Sequence, residues 1–389
     1  MQTLNVYAKL SGLKINVEKT KAIWIGSMKK SNLSICPELN LQWESESFKL
    51  LGVIFTVDLN NIIETNYLLK IEEIKRLFIQ WSKRKITPIG KNVVIKTLAL
   101  PKINHLIMSL PNPSDETVKT IQNMFFKYLW SGGPDKIKRN IITQSYEYGG
   151  LRMVNLEVFM SALKITWLRR YLNYNTKYFN LVKDIYPFLE DLTKYGNDFL
   201  KNKITTVKNM FWKDVFIGFT QLSLQCPNSW SEFCSLPVWY NSMFKVGRTS
   251  ICFPRFVRNG IILVNDFLDG NGNFLSFNDF INKHNINTNF LQYQNIVESI
   301  RSFLNSLRIP HHAKKEDSPV QPLSVKIVNS KKKGCRFIYD SLLKSSKFPC
   351  SNRKWCEELN LNVNFNWSSI YRLPLLSLRI QSCSGSSTE

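Results

Sequence analysis

The chain has 389 residues and a formal net charge of +23, from 52 Lys and Arg against 29 Asp and Glu. A hydrophobic fraction of 44% with 13% aromatic residues excludes a disordered chain. No stretch approaches the ~20 consecutive apolar residues of a membrane-spanning helix, and no basic-then-apolar leader follows Met1. We therefore expect an intracellular protein, nuclear or cytoplasmic, that is not secreted and binds no membrane. The positive charge favours a polyanionic partner over a merely basic surface.

Eight cysteines and four histidines are spread along the chain without a C-x-x-C pair or a zinc-finger spacing. This usage predicts free, mostly buried thiols in a reducing compartment. Cys350 and Cys356 flank Trp355, but two thiols are too few ligands for a metal site. Ordinary buried thiols are the better interpretation.

The first part of the chain, residues 1–60, predicts a small β-rich piece. Gly12 follows an amphipathic turn and can adopt the left-handed conformation that ends a helix. Leu13 and Ile15 alternate with Lys14 and Asn16, and Ile23 and Ile25 alternate with Ala22 and Trp24, as in half-buried strands. A further apolar strand is predicted over 48–55, with a glycine at its centre that indicates a bulge or a close backbone approach. This piece is too small to bury such a sheet alone.

Residues 61–175 predict a helical domain. Apolar side chains at three- and four-residue steps indicate a first helix with one buried stripe, formed by Ile63, Tyr67, Ile71, Ile74, Phe78 and Trp81. Pro88 and Gly90 interrupt the chain after it. An apolar segment over 93–100 is then expected to stop at Pro101.

Two more helices are predicted in the same domain. Ser114 is followed by two acidic residues, which is typical of a helix start, and Ser131-Gly-Gly ends that helix. The next helix is expected from Asn155 onward through Trp167. Over 61–175, 18 Lys and Arg stand against 8 Asp and Glu, a net charge of +10 in 115 residues, whereas the 214 residues that follow carry +11. Positive charge is therefore concentrated in this helical domain.

The remaining chain has a weaker pattern, which predicts a mixed α/β region over 176–308. Residues 309–334, rich in Pro, His, Lys and Ser, are predicted to be a linker. Residues 335–380 are expected to form a small globular patch around Trp355 and Trp367, and residues 381–389 a disordered tail. The fold class predicted for the whole chain is α+β and mostly helical.

Several motifs resemble one protein family. The sequence SGLKINVEKTKAIWIG at 11–26, followed by LGV at 51–53, resembles the reverse transcriptases of non-LTR (LINE-type) retrotransposons just after their catalytic aspartates. FKYLWSGG at 126–133 and GGLRMVNL at 149–156 resemble the thumb of these enzymes and the segment after it, and PVWYN at 237–241 resembles their connector. The resemblance implies the end of a polymerase palm at 1–60, a thumb at 61–175 and a connector at 176–308.

The resemblance implies RNA-directed DNA synthesis, for which two aspartates would hold magnesium ions. This sequence contains no two adjacent aspartates, and its last residues do not resemble the zinc knuckle of the family. We therefore expect a truncated, non-enzymatic reverse transcriptase fragment with no catalytic residue and no bound metal or other cofactor. It would retain at most binding of RNA and DNA, as a hybrid or a duplex, through phosphate contacts.

The residues expected to contact nucleic acid come from the matching segments. Lys14 and Lys19 lie where a polymerase approaches the incoming nucleotide, and the alternative is that both are merely solvated. Leu51 and Gly52 correspond to the primer-grip hairpin of the family. The full set is Lys14, Lys19, Leu51, Gly52, Arg76, Arg84, Lys91, Lys96 and Lys102.

The sequence leaves two other hypotheses about function open. The chain is alternatively a non-enzymatic nucleic-acid or chromatin adaptor derived from the element. A third hypothesis is a non-functional pseudogene product whose exposed half-sheet aggregates.

Overall fold

A computed structural model describes residues 2–13, 16–28, 41–146, 149–173, 177–192, 194–223, 226–227, 229–307 and 334–344. The described chain is mostly helical, and its strands form three two-stranded sheets. The predicted mostly helical class is thereby confirmed. The chain divides into two compact units, Met1–Lys136 and Ile137–Leu378, which are called here the first and the second unit.

The first unit contains five helices and two small sheets within its described residues. The helices are α1 (Gln2–Ser11), α2 (Ile62–Ser82), α3 (Pro88–Val94), α4 (Pro101–Ser109) and α5 (Asp115–Leu129), with a π-helical segment at Ile95–Ala99 between α3 and α4. Short 3₁₀ turns lie at Val17–Lys19, Gly26–Met28 and Leu59–Asn61. The strands are β1 (Lys21–Ile23), β2 (Gln42–Glu44), β3 (Ser47–Leu50) and β4 (Val53–Thr56).

The β-rich start differs in detail from the prediction. α1 ends at Ser11, and Gly12 has a φ of +71°, as expected for a glycine that terminates a helix. The predicted strand at 13–16 does not form where it is described, since Leu13 and Asn16 lie outside any strand. β1 instead pairs in parallel with β2, and Trp24 stacks on Trp43 with ring centroids 5.2 Å apart.

The apolar stretch 48–55 is a hairpin, so the prediction of one strand with a central bulge is wrong. β3 and β4 pair antiparallel around a two-residue turn, Leu51–Gly52. Both turn residues have positive φ, +48° and +85°, which is the geometry of a type I′ turn. An apolar run alone does not reveal such a turn, because the run continues through both strands.

α2 forms the centre of the first unit. Four residues of its predicted stripe, Tyr67, Ile71, Ile74 and Phe78, are buried as expected, whereas Ile63 and Trp81 are half-buried. The Phe78 ring stacks on Tyr128 of α5 at 4.2 Å between centroids. α5 begins at the Ser114 cap, whose Oγ accepts a hydrogen bond from the Thr117 backbone N–H at 3.3 Å, as predicted.

The two prolines act differently from the prediction. Pro88 does not interrupt the chain but occupies the first turn of α3, which Thr87 caps. Pro101 does not end the helical segment, because α4 begins at that residue. The π-helical segment before it, in which the Leu100 N–H donates to the Ile95 carbonyl at 2.8 Å, widens the turn where a proline ring would otherwise meet the preceding carbonyl.

The second unit contains ten helices and one small sheet within its described residues. The helices are α6 (Arg139–Ile142), α7 (Leu156–Asn173), α8 (Lys177–Ile185), α9 (Asn197–Ile204), α10 (Met210–Ser223), α11 (Trp230–Cys234), α12 (Pro254–Arg258), α13 (Phe277–His284), α14 (Phe290–Ser306) and α15 (Arg336–Lys344). Further 3₁₀ turns lie at Pro187–Asp191 and Val264–Phe267, and the sheet pairs β5 (Lys245–Val246) with β6 (Thr249–Ser250).

The second unit has two apolar cores. One is formed by α7 to α10 together with α15, and the other by α11 to α14 and the loops between them, with Trp239 fully buried. α7 packs against α10 and α15, so the boundary between the two units precedes it, whereas the sequence grouped it with the helices of 61–175. The predicted tail, Trp355, Trp367 and nearly all of the predicted linker lie outside the described residues.

Candidate nucleic-acid interface

Asn66 of α2 fixes the β3–β4 hairpin to the helices of the first unit. The Ile54 N–H donates to Asn66 Oδ1 at 2.8 Å, and Asn66 Nδ2 donates to the Ile54 carbonyl at 2.7 Å. Asn66 Nδ2 also donates to the Ile62 carbonyl of its own helix at 2.7 Å. The Asn66 side chain is only 3% exposed. Its amide gives the backbone of β4 the two hydrogen bonds that a neighbouring strand would otherwise provide.

The hairpin turn lies against α4. The Leu51 side chain is 93% exposed, whereas a Cβ atom at Gly52 would lie 3.6 Å from His105 Nε2. That nitrogen is buried and has no hydrogen-bond partner among the described residues. The turn therefore lies close to His105 on one side, and its Leu51 side chain is open to solvent.

Exposed basic residues are concentrated at the C-terminal end of α2. Arg76, Lys83, Arg84 and Lys85 are all exposed, and none of them has a carboxylate partner in the described part of the chain. The Arg84 guanidinium lies over the Trp81 ring, 4.3 Å from its centroid, which restricts its motion. Cations at this end also complement the helix dipole.

Lys102 takes part in an ion-pair cluster between α2 and α4. Its ammonium lies 3.3 Å from Glu73 Oε2, and the Lys70 ammonium lies 2.7 Å from Glu73 Oε1. The hydrogen bond from Lys70, with a further one from Lys102, lowers the pKa of Glu73. Lys102 is thus half-buried and engaged with the protein itself.

Among the predicted contact residues that the structure describes, Lys91 is the most deeply buried. Its side chain is 8% exposed, its ammonium donates to Ser131 Oγ, and it lies 5.7 Å from the centroid of the Tyr128 ring. Burial lowers the pKa of Lys91 and raises that of Tyr128. The ammonium lies at the C-terminal end of α5, where the helix dipole favours a cation.

The other predicted contact residues lie in different settings. Lys19 is exposed at the end of the 3₁₀ turn Val17–Lys19, and Lys96 is half-buried on the π-helical segment. Lys14 lies outside the described residues. The structure therefore brings Gly52 and Lys102 to the same helix, α4, while Arg76 and Arg84 share the exposed surface of α2.

Sequence reasoning missed Asn66 and His105, and it left Lys83 and Lys85 out of the expected contact set although their charge suits a polyanion. Asn66 carries a readable signal, since a polar residue next to the apolar stripe of a helix requires a hydrogen-bond partner. Lys83 and Lys85 flank Arg84 and belong to the same run of charge. His105 has no such signal, because only the folded hairpin brings the turn to it.

The described residues contain no group of three or more His, Cys, Asp or Glu side chains arranged to hold a metal ion. Within the same residues, no helix combines the length and apolar character needed to cross a membrane. The described cysteines Cys226, Cys234, Cys252 and Cys335 are free thiols.

No model of a known protein family matches the chain. Membership of the retrotransposon family is therefore a hypothesis that rests on the quoted motifs.

Proposed function

We propose that the chain is part of a non-LTR retrotransposon reverse transcriptase, and that its first unit grips an RNA–DNA hybrid or a DNA duplex through the phosphates. The observation that carries this proposal is a group of exposed cations without a carboxylate partner among the described residues, on the C-terminal half of α2 and directly after it: Arg76, whose Nε donates to the Glu72 carbonyl at 3.4 Å, Lys83, Arg84 and Lys85. Cations without carboxylate partners attract phosphate most strongly, and phosphate contacts need no reading of base sequence.

The hairpin supports the same proposal. Leu51 in its turn is 93% exposed, Asn66 bonds β4 of the hairpin to α2, and Gly52 lies close to His105 of α4. A rigid, exposed backbone turn is what a grip on a primer end requires. This geometry agrees with the family resemblance of LGV at 51–53.

The predicted contact residues divide into two groups under this proposal. Arg76, Arg84 and Lys19 present their charge to solvent and are available to a phosphate. Lys91 and Lys102 bond to Ser131 and Glu73, and they maintain the helix packing that positions the surface. The positive charge of the helical region thus serves both folding and binding.

The test is the salt dependence of binding of the full chain to an RNA–DNA hybrid and to duplex DNA. Neutralising two phosphate contacts by Arg76→Gln and Arg84→Gln should flatten the slope of log K against log salt by about 1.8. A matched control removes two exposed cations of α5, Lys119 and Lys127, from the same unit. That control should leave the slope within about 0.5 of the parent value.

Two results would contradict the proposal. One is an affinity that stays constant between low and moderate salt. The other is an equal loss of binding in the α2 variant and the α5 control, since a diffuse positive field would then account for the binding.

A further inference from the structure

A second basic surface lies in the second unit, far along the sequence from α2. Residues 233–265 contain Lys245, Arg248, Arg255 and Arg258 but no Asp or Glu. All four cations are exposed. Surfaces that serve solubility alone mix both signs of charge. A stretch of this length that contains cations but no carboxylate departs from that pattern.

The four cations lie on two short elements, the β5–β6 hairpin and α12. β5 and β6 form a hairpin around the turn Gly247–Arg248, in which Gly247 has a φ of +66°. α12 follows after three intervening residues, so that its first residue lies at most about 14 Å from the end of β6, and its Arg255 and Arg258 share one side of the helix at a three-residue spacing. Ile251 and Phe256 are buried and anchor the segment.

None of these four cations has an ion-pair partner in the part of the chain that the structure describes. α14 packs against β5, and its charged pair Arg301–Glu298 is joined within α14 at 3.4 Å. The four side chains therefore keep their full charge for an external anion.

Three half-buried aromatic side chains lie next to this segment, and two of them also pack against the apolar cores of the unit, Tyr195 against that of α11 to α14 and Phe199 against that of α7 to α10. The Tyr195 ring centroid lies 4.6 Å from that of Phe199 and 5.4 Å from that of Tyr240. The Tyr240 N–H donates to the Ile251 carbonyl at 2.8 Å, and a hydrogen bond with Cys252 raises the pKa of Tyr240. These two partners lie in the segment that joins the hairpin to α12, so Tyr240 is bonded to the chain between the two pairs of cations.

Tyr240 has a strained backbone that several contacts enforce. Its φ is +50°, which is uncommon for a residue other than glycine. The Asp198 N–H donates to the Tyr240 carbonyl at 2.9 Å, and Gly196 allows the close approach, because a Cβ there would lie 2.8 Å from that carbonyl oxygen. Tyr240 is half-buried in this conformation, whereas its neighbours Trp239 and Asn241 are buried.

We propose that Lys245, Arg248, Arg255 and Arg258, together with Tyr195, Phe199 and Tyr240, form a binding surface for single-stranded nucleic acid. The cations bind the phosphates, and the rings stack on unpaired bases. A duplex offers its phosphates but not the faces of its bases, so the aromatic rings favour a single strand. This surface does not depend on the duplex grip proposed for α2, because its residues belong to the second unit.

The charge test uses the full chain and a fluorescent oligouridylate of about 20 nucleotides, with a duplex of equal length for comparison. The starting protein carries Arg76→Gln and Arg84→Gln, so that binding by α2 does not mask the result. Adding Arg248→Gln and Arg255→Gln should weaken binding of the single strand about tenfold and flatten its salt slope by about 1.4. The control replaces Lys177 and Lys208, two exposed lysines of the same unit, by Gln and should change affinity less than about twofold.

The stacking test separates the ring from the hydroxyl of Tyr240. Tyr240→Phe keeps the ring and should retain the affinity within about twofold, whereas Tyr240→Leu should lose at least about fivefold. Thermal unfolding checks that each variant is folded. If Tyr240→Leu does not fold, the exposed charge variant still decides the question.

Three outcomes overturn the proposal. The first is an affinity for the oligouridylate that the charge variant leaves unchanged. The second is duplex binding tighter than single-strand binding in the starting protein. The third is binding confined to anionic lipid vesicles of phosphatidylserine, which would assign the cations to a membrane surface.

Discussion

At the scale of single residues, Asn66 shows how one buried amide determines where a hairpin lies. Replacement by Ala leaves the N–H and the carbonyl of Ile54 without partners while the apolar contacts stay. We expect Asn66→Ala to lower the free energy of unfolding by about 2–3 kcal/mol. Urea unfolding of the full chain measures this.

Gln80 provides the matched control, because it lies on the exposed side of the same helix. Gln80→Ala should change the free energy of unfolding by less than about 0.5 kcal/mol. Equal stability of the two variants would mean that the hairpin is not held through Asn66.

Lys164 is the second residue whose burial has a measurable consequence. It is 0% exposed on α7, its ammonium lies 3.8 Å from the centroid of the Phe211 ring, and burial lowers its pKa from 10.5 to about 7, although Asp214 opposes this. Between these two values the unfolded chain binds a proton that the native chain does not. The free energy of unfolding therefore rises with pH across this window.

The Lys164→Met variant lacks the ammonium group and therefore its titration. The variant should be more stable than the parent near pH 7, and the difference should shrink toward pH 10 by about 1 kcal/mol per pH unit. Denaturant unfolding at several pH values measures the difference. Lys213→Met, on the less buried side of α10, serves as control; a difference for Lys164→Met that stays constant with pH would contradict the assignment.

At the scale of elements, Lys91 links α3 to the C-terminal end of α5. Its ammonium bonds to Ser131 and approaches the Tyr128 ring, so the side chain acts within the fold. We expect Lys91→Ala to lower the free energy of unfolding by about 1–3 kcal/mol. The folded variant should bind the RNA–DNA hybrid with an affinity within about twofold of the parent.

The comparison variant is Lys127→Ala on the exposed side of α5, which should affect neither stability nor binding. Unfolding and hybrid binding are measured on the same samples. If the Lys91→Ala protein keeps its stability but clearly loses affinity for the hybrid, Lys91 contacts the nucleic acid directly.

The helices and the hairpin also show how far local sequence patterns reach. The stripe of α2, the Ser114 cap and the glycine after α1 follow from spacing and backbone preference, and all three were predicted. The outcomes at Pro88 and Pro101 were not predicted. The effect of a proline depends on whether the preceding turn is capped or widened, which neighbouring helices influence.

At the scale of the whole molecule, the two proposed surfaces divide the nucleic-acid contacts between the units. The cations of α2 lie in the first unit and the aromatic and basic surface around Tyr240 in the second. Because the sites share no residue, the effects of their variants should add. A duplex grip and a single-strand contact on one chain suit a protein that handles a primed template.

Sequence alone determined the mostly helical class, the main helices of 61–175, the concentration of positive charge there and the family resemblance, since periodicity, caps and composition are local properties. Only the tertiary structure decided that Lys91 is buried while Arg84 is exposed, that His105 lies next to the Leu51–Gly52 turn, and that Tyr240 contacts Tyr195 and bonds to the segment between β6 and α12. The physical reason is that burial and partnership of a charge depend on residues distant in sequence. A run of lysines and arginines therefore predicts a polyanionic partner, but the fold determines which of these side chains can reach that partner.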